Sequence, residues 1–202
     1  MVLLALATFG AALASGSAAP DLFEDLYRRG QQQNGNLTTF TASFTEVTTS
    51  TLLTRPLTAS GTVAVERPGR IALRYAQPDA RVVLIDGDRM TVSWPARGVQ
   101  QSKDVGAAQK RVQKYFVDSS PRELRSHFQV IAREAGDRPG YLVTMLPLRR
   151  QIKEGLTRLE LWIDPGTLLM SGMRMTFPNG DTKLMTFSDV RTNVTLDASA
   201  FR

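Results

Sequence analysis

The stretch from Ser60 to Pro95 reads SGTVAVERPGRIALRYAQPDARVVLIDGDRMTVSWP and decides the fold. Its short runs alternate apolar and polar residues, and they are separated by the turn pairs Pro68-Gly69, Gln77-Pro78 and Asp86-Gly87. Successive strand side chains point to opposite faces, so this alternation predicts strands with one apolar face. The turn pairs predict hairpins between them, Asp-Gly most strongly. The stretch therefore predicts an antiparallel meander that curls around a concave apolar surface.

Further strands are predicted on both sides of this meander. The segment from Leu37 to Ser50 is rich in threonine and contains two phenylalanines, a composition typical of strands, and its partner begins near Leu57. Strand patterns return later in five runs, which are Phe128–Glu134, Tyr141–Pro147, Thr157–Ile163, Leu168–Phe177 and Lys183–Val190. The predicted fold class is mainly β (α+β), with a single curved antiparallel sheet and a few helices.

Helical patterns are predicted at four places. Residues 21–33 have one apolar stripe, Asp21 as the N-cap, and Arg28 and Arg29 placed for the last turn. Apolar residues recur at helical spacing from Ser102 onward, and Ser120 with its following proline predicts the start of another short helix that ends near residue 126. Residues 148–155 interrupt the strand pattern as a short helix or a polar excursion. The helical insert at 102–126 is either a lid over the sheet or a structural plug at its end.

The first residues have the pattern of a secretory signal. Residues 2–13 form an apolar run that is followed by small residues, and it is too short for a membrane span of roughly 20 residues. We expect a signal peptide at 1–19, with cleavage after Ala18 or Ala19, and one domain over 20–202. No cysteine follows the run, so we expect a protein that is free in the periplasm rather than lipid-anchored.

Composition excludes several kinds of chemistry. The 202 residues contain no cysteine, which rules out disulfides and thiolate ligands, and the single histidine, His127, cannot build a familiar zinc site. Neither a nucleophile elbow nor a phosphate-binding loop nor a dinucleotide fingerprint is present. The net charge of +6 is spread along the chain without a nucleic-acid motif. We therefore predict no catalytic residues, no cofactor and no nucleic-acid partner.

Methionine is concentrated in the late strands, at positions 145, 170, 173, 175 and 185. Because its side chain is flexible and polarizable, methionine suits surfaces that bind apolar ligands of variable shape. A methionine-rich core beneath the helices explains the same pattern. The two interpretations are compatible, since a core covered by a lid becomes a ligand cavity when the lid moves.

Alternate-residue parity predicts which side chains line such a cavity. A bulge at Gly172 would reverse the parity of the strand around it. The predicted lining is Val63, Val65, Ile71, Leu73, Tyr75, Met90, Val92, Trp94, Met145, Met173, Met175, Phe177, Met185 and Phe187.

Three segments resemble the family of the periplasmic lipoprotein carrier LolA. They are FTASFTE at Phe40–Glu46, GTVAVERPGRIALRYAQPD at Gly61–Asp79 and LIDGDRMTVSWP at Leu84–Pro95, and the ending DASAF at Asp197–Phe201 is similar too. The family pattern is F-x-A-S-F-T-Q, then G-x-x-x-V-x-R-P-x-x-x-x-W, then Q-P and a strand–D-G–strand hairpin. The resemblance covers residues 37–147 well and the late strands loosely.

The resemblance implies an incomplete β-barrel with a helical lid over its concave apolar face. It further implies that the cavity holds the acyl chains of lipoproteins, which the family carries from an inner-membrane ABC exporter to an outer-membrane acceptor. The family arginine that holds the lid closed matches Arg67. Ile71 and Leu73 stand where relatives place aromatic rings, which leaves another envelope lipid open as the cargo.

On these grounds the predicted function is that of a non-enzymatic, monomeric periplasmic carrier. Its basic charge is expected to guide docking to acidic partners or to anionic membrane surfaces, with Lys110, Arg111 and Lys114 as the candidate residues. Two alternatives stay open: a lipid-sensing regulatory domain of the sigma-factor-control type, and an enzyme that modifies envelope lipids.

Overall fold

A single antiparallel sheet carries the fold in the computed structural model, which describes residues 21–106 and 120–201. Its strands alternate apolar and polar residues, as the period of two predicts. They are β1 (Thr39–Thr49), β2 (Leu57–Glu66), β3 (Arg70–Gln77), β4 (Arg81–Asp86), β5 (Arg89–Trp94), β6 (Val99–Asp104), β7 (Phe128–Glu134), β8 (Tyr141–Pro147), β9 (Arg158–Ile163), β10 (Met170–Thr176) and β11 (Thr182–Thr192).

The order of the 11 strands is β6-β5-β4-β3-β2-β1-β11-β10-β9-β8-β7. The first six strands therefore form one side of the sheet, from β1 in the middle to β6 at one edge. The last five form the other side, from β7 at the opposite edge to β11, which pairs with β1. Strands β6 and β7 form the two edges and do not pair with each other, so the sheet does not close. The prediction of a mainly β, incomplete barrel is confirmed.

Three α-helices accompany the sheet in the part of the chain that is described: α1 (Leu22–Asn34), α2 (Pro121–His127) and α3 (Arg150–Lys153). The Asp21 carboxylate accepts hydrogen bonds from two backbone N–H groups of the first turn of α1, and Ser120 forms a capping box with Glu123 at the start of α2. Short 3₁₀ turns lie at 95–97 and 198–201. Of the helices described, none is long and apolar enough to cross a bilayer.

Two expectations about the helices are wrong in detail. Arg28 and Arg29 are not in the last turn of α1, because the helix continues to Asn34, and both form ion pairs with Asp25 instead. The helical insert does not begin at Ser102, because β6 extends through Asp104 as a polar edge strand paired with β5. Residues 107–119 of the predicted insert lie outside the described residues, and so does the predicted signal peptide at 1–19.

The bulge predicted near Gly172 is present. The pairing of β10 with β9 shifts register between Met170 and Gly172, so that Ser171 is the additional residue. Beyond the shift, Met173 lies opposite both Leu161 of β9 and Met185 of β11. Met173 and Met175 therefore lie on the same face of the sheet as Leu161 and Met185.

Helices α1 and α2 cover only one half of the sheet. The cluster under them joins apolar side chains of both helices to those of β7, β8 and β9. Phe128 is at its centre with no exposed surface. The buried members are Phe23, Leu26, Leu124, Phe128, Val130, Val143, Met145 and Leu159. This covered core attaches the two helices to the half of the sheet that contains β7, β8 and β9.

Candidate functional site

One face of the sheet continues from the covered core across β11, β1, β2, β3, β4 and β5. Residues directly opposite each other on neighbouring strands share a face, so the pairing register identifies its members. Val63 lies opposite Ala42 on one side and Leu73 on the other. Leu73 in turn lies opposite Val83, which lies opposite Val92. An uninterrupted apolar row therefore crosses five strands.

The predicted cavity residues lie on this face, with one exception. Phe177 follows the end of β10, in the turn to β11, where its backbone N–H donates to the Asp181 carbonyl. The pairing register places the others together, and they are Val63, Val65, Ile71, Leu73, Tyr75, Met90, Val92, Trp94, Met145, Met173, Met175, Met185 and Phe187.

Most of these residues belong to one of two packed clusters. Met145 is buried in the cluster beneath α1 and α2, and it therefore belongs to the covered core. Tyr75, Val63 and Met185 belong to a second cluster, and all described members of that cluster lie on strands. Met173 contacts both clusters and joins them. We call this second cluster, together with the apolar residues of β4 and β5 that continue its row, the open apolar face. Its central members are buried, yet no residue of a described helix belongs to the cluster.

A chain of polar side chains crosses one end of the open apolar face. Glu46 on β1 is buried at 5% exposure. Its carboxylate accepts a hydrogen bond from the Tyr75 hydroxyl at 2.9 Å and an ion-pair contact from the Lys183 ammonium at 3.1 Å. The Arg81 guanidinium lies 3.7 Å from the centroid of the Tyr75 ring. We call these four residues the polar row.

Burial and charge act on Tyr75 in the same direction. Desolvation, followed by the neighbouring negative charge of Glu46 and the hydrogen bond to it, raises the pKa of Tyr75 to about 12, against an opposing effect of Arg81. The phenol therefore stays protonated at neutral pH and donates to the carboxylate. Glu46 thus has two donors that satisfy a charge which would otherwise be costly to bury.

The sequence contains one signal for the polar row. Glu46 has the same parity as Phe40, Ala42 and Phe44, so alternation alone places it on the apolar face. A carboxylate at such a position requires a partner. Lys183 could not be identified as that partner from spacing, because β1 and β11 are brought together only by the fold.

Arg67, the predicted lid latch, is exposed in the turn between β2 and β3. The Gly69 carbonyl in this turn accepts a hydrogen bond of 3.2 Å from the Gly87 N–H in the turn between β4 and β5. The Asp88 carbonyl of that second turn accepts one of 2.7 Å from the Val105 N–H. The segment that leaves the sheet after β6 therefore starts beside the two turns. Residues 107–119 of the predicted lid, on which a latch by Arg67 would act, lie outside the described residues.

The other predicted sites divide between described and undescribed residues. Lys110, Arg111 and Lys114 lie in the gap between residues 106 and 120, outside what the structure describes. His127 is the last residue of α2. Within residues 21–106 and 120–201, no group of 3 or more His, Asp or Glu side chains is placed to hold a metal ion.

The sequence profile described as "Outer membrane lipoprotein carrier protein LolA" matches residues 35–202. The match includes the whole sheet. The chain belongs to the LolA family. Proteins of this family are periplasmic carriers that bind lipoproteins; they are not enzymes. The suspected relationship that rested on the Phe40–Glu46 and Gly61–Asp79 motifs is therefore confirmed.

Individual relatives are distant. An outer-membrane lipoprotein carrier protein of Ralstonia nicotianae is 28% identical over 72% of this LolA-family chain and 65% of its own length. One of Pseudomonas entomophila is 24% identical over 95% of this chain and 89% of its own. The match thus spans just under two thirds of the first relative and most of the second.

A solved structure supports the fold. An uncharacterized conserved protein from Thermus thermophilus superposes with a TM-score of 0.55 at 8% identity, and the match covers 89% of this chain and 93% of that protein. At this identity the likeness concerns the architecture alone. It agrees with the open sheet and its few helices.

Proposed function

We propose that this LolA-family protein is a periplasmic carrier that binds the acyl chains of lipoproteins, or of a related envelope lipid, on the open apolar face. The observation that carries the proposal is the apolar row from Ala42 to Val92, which continues from a covered core onto a half of the sheet whose described neighbours are strands only. An apolar surface of this kind that carries a few polar side chains is typical of ligand-binding sites.

Carriage requires binding that can be reversed. Burial of each methylene group contributes about 0.8 kcal/mol, so a complete acyl chain in a closed cavity would be released very slowly. A cover that closes more favourably over the empty face than over the loaded one would offset part of this affinity. In the proposed cycle the carrier receives cargo from an inner-membrane ABC exporter and delivers it to an outer-membrane acceptor, as a monomer.

A transfer assay tests the proposal. Donor vesicles containing a fluorescent triacylated peptide are separated by a dialysis membrane from acceptor vesicles, and the purified protein is added at a pore size that lets it pass. We expect the protein to accelerate transfer in proportion to its concentration. Transfer at the rate of the buffer control would refute the carriage of lipoproteins.

The same assay tests the role of the basic residues Lys110, Arg111 and Lys114. We expect that reversing their three charges to glutamate slows transfer between anionic vesicles at low salt, because electrostatic attraction mainly raises association rates and is screened as salt rises. The difference from the wild-type protein should therefore shrink at high ionic strength. Equal rates at every salt concentration would assign these charges to solubility alone.

Arg67 is proposed to hold the cover closed over the empty face. Its rigid guanidinium can bond several carbonyl oxygens at once, and charge-assisted hydrogen bonds contribute about 1.5–3 kcal/mol, which is about tenfold or more in an open–closed equilibrium. We expect Arg67→Leu to load cargo normally and to release it at least about tenfold more slowly to acceptor vesicles.

The controls for Arg67 use the same assay with preloaded protein. Arg67→Lys should restore release only in part, because a point charge lacks the planar fork. Arg55→Leu, which removes another exposed arginine in the loop between β1 and β2, should release at the wild-type rate. Release by Arg67→Leu at the wild-type rate would leave Arg67 as an ordinary surface charge.

A further inference from the structure

The polar row is continuous across half of the sheet. It runs from Arg81 on β4 through Tyr75 on β3 to Glu46 on β1 and Lys183 on β11, with only β2 contributing no member. Side chains of opposite polarity usually separate onto opposite faces of a sheet with one buried side. The row instead lies on the open apolar face, where it interrupts a surface that is otherwise suited to hydrocarbon.

The row marks an end of the apolar surface rather than its middle. Along β1, the residues on this face are Phe40, Ala42 and Phe44 before Glu46 is reached. Along β11, they are Phe187 and Met185 before Lys183. The strands β1 and β11 are antiparallel, and they therefore place their charged residues at the same end. A molecule that filled the apolar positions of these two strands would meet their charged residues at this end.

The charges of the row are unbalanced. Arg81 and Lys183 are cationic, and Glu46 is the one acidic member. The carboxylate is already engaged by Lys183 and by the Tyr75 hydroxyl. Among the described residues, no carboxylate forms an ion pair with Arg81, which instead lies against the Tyr75 ring. The Lys183 side chain is 31% exposed, so a ligand on the face can reach it.

We propose that the polar row binds the anionic headgroup of an amphiphile whose acyl chain occupies the open apolar face. The inference rests on the carrier function proposed above and adds the class of cargo. A phosphate or carboxylate supplies the negative charge that Arg81 lacks as a partner, and Lys183 is the second cation of the row. In the empty protein Glu46 holds Lys183, and an incoming anion competes with it for the ammonium group.

Other headgroups fit less well. A cationic headgroup would approach a row with a net charge of one positive unit, since its two cations are offset by a single carboxylate. A neutral headgroup would leave Arg81 without an anionic partner. The row therefore discriminates between headgroups by charge.

A matched pair of lipids tests the proposal directly. 1-Palmitoylglycerol and 1-palmitoylglycerol 3-phosphate carry the same acyl chain and differ by the phosphate, and palmitate presents a carboxylate instead. Each is used below its critical micelle concentration to displace a fluorescent fatty-acid analogue from the full chain. We expect the phosphate lipid to bind at least about tenfold more tightly than its neutral partner. The position of palmitate shows whether a carboxylate suffices or a phosphate is required.

Variants of the row should change this preference in opposite directions. Lys183→Met should reduce the ratio of phosphate to neutral affinity by about tenfold, whereas Glu46→Gln should raise it, because the amide no longer competes for the ammonium group. The double variant Glu46→Gln/Lys183→Met removes both charges and guards against loss of folding through an unpaired buried carboxylate. Lys153→Met, on the exposed surface of α3, should leave the ratio unchanged.

The outcomes separate the two proposals. Equal binding of both lipids by the wild-type protein, or a ratio unaffected by Lys183→Met and Glu46→Gln alike, would overturn the headgroup site while the carrier function stands. Failure of every acyl lipid to displace the analogue would instead count against the carrier function itself. A preference for the phosphate lipid that falls with Lys183→Met and rises with Glu46→Gln would support the site.

Discussion

Replacement of Leu73 by glutamate is expected to abolish acyl-chain binding and to leave the sheet folded. Leu73 lies in the middle of the apolar row, opposite Val63 and Val83, and it is only partly buried. In the empty protein a carboxylate there can still reach water, but a bound acyl chain would remove that water. Desolvation of the unpaired charge costs several kcal/mol, and the leucine contact is lost as well. Affinity should fall by about a hundredfold or more.

The matched control is Thr62→Glu on the neighbouring strand. Thr62 is exposed and points to the other face of β2, opposite Arg74, so its replacement adds the same charge outside the proposed site. Displacement of a fluorescent fatty-acid analogue gives the affinities, and circular dichroism with thermal unfolding checks the fold. Retention of binding by Leu73→Glu, or an equal loss in Thr62→Glu, would place the acyl chain elsewhere.

The largest effect on stability is expected from Gly61→Ala. A Cβ atom at Gly61 would overlap the Arg74 carbonyl oxygen and would lie 3.0 Å from the Phe44 ring. Backbone of β2 and β3 would have to separate where the register already shifts between Ser60 and Gly61. Because the contact is with backbone rather than with a flexible side chain, we expect a loss of about 3 kcal/mol or more in the free energy of unfolding.

Gly30→Ala is the control for this substitution. Gly30 lies inside α1 with open space around it, so the added methyl group meets no neighbour. Alanine favours the helix over glycine by roughly 0.5–1 kcal/mol, and the variant should be slightly more stable than the wild type. Urea unfolding measures both changes. A destabilisation of Gly61→Ala no larger than about 1 kcal/mol would contradict the close approach of the two strands.

Regular alternation made most of the strands predictable from local sequence. The bounds of β7 and β8 agree with the predicted Phe128–Glu134 and Tyr141–Pro147, because β7 begins with clear alternation and β8 is a short apolar run between Gly140 and Leu148. Strand β6 was missed for the opposite reason. All of its residues are exposed, and a polar edge strand has no apolar face to produce a pattern.

The division of the sheet into a covered and an open half was beyond local sequence. Met145 and Met185 have the same composition and parity signals, yet Met145 packs beneath the helices whereas Met185 lies on the open apolar face. The difference depends on where α1 packs, which is decided by contacts between segments distant in sequence, such as the ion pair of Asp21 with Arg125. Such contacts leave no periodic signal.

The most direct test of the central claim is to map where an acyl chain lies on the protein. A fatty acid with a photoreactive group near its methyl end is bound to the full chain and activated by light, and the labelled residues are identified by mass spectrometry. We predict labels on the open apolar face, at residues such as Val63, Leu73 and Val92, and their disappearance when unlabelled triacylated peptide competes. Labels confined to the opposite face, at Thr62 or Arg74, or labels that the competitor does not remove, would contradict it.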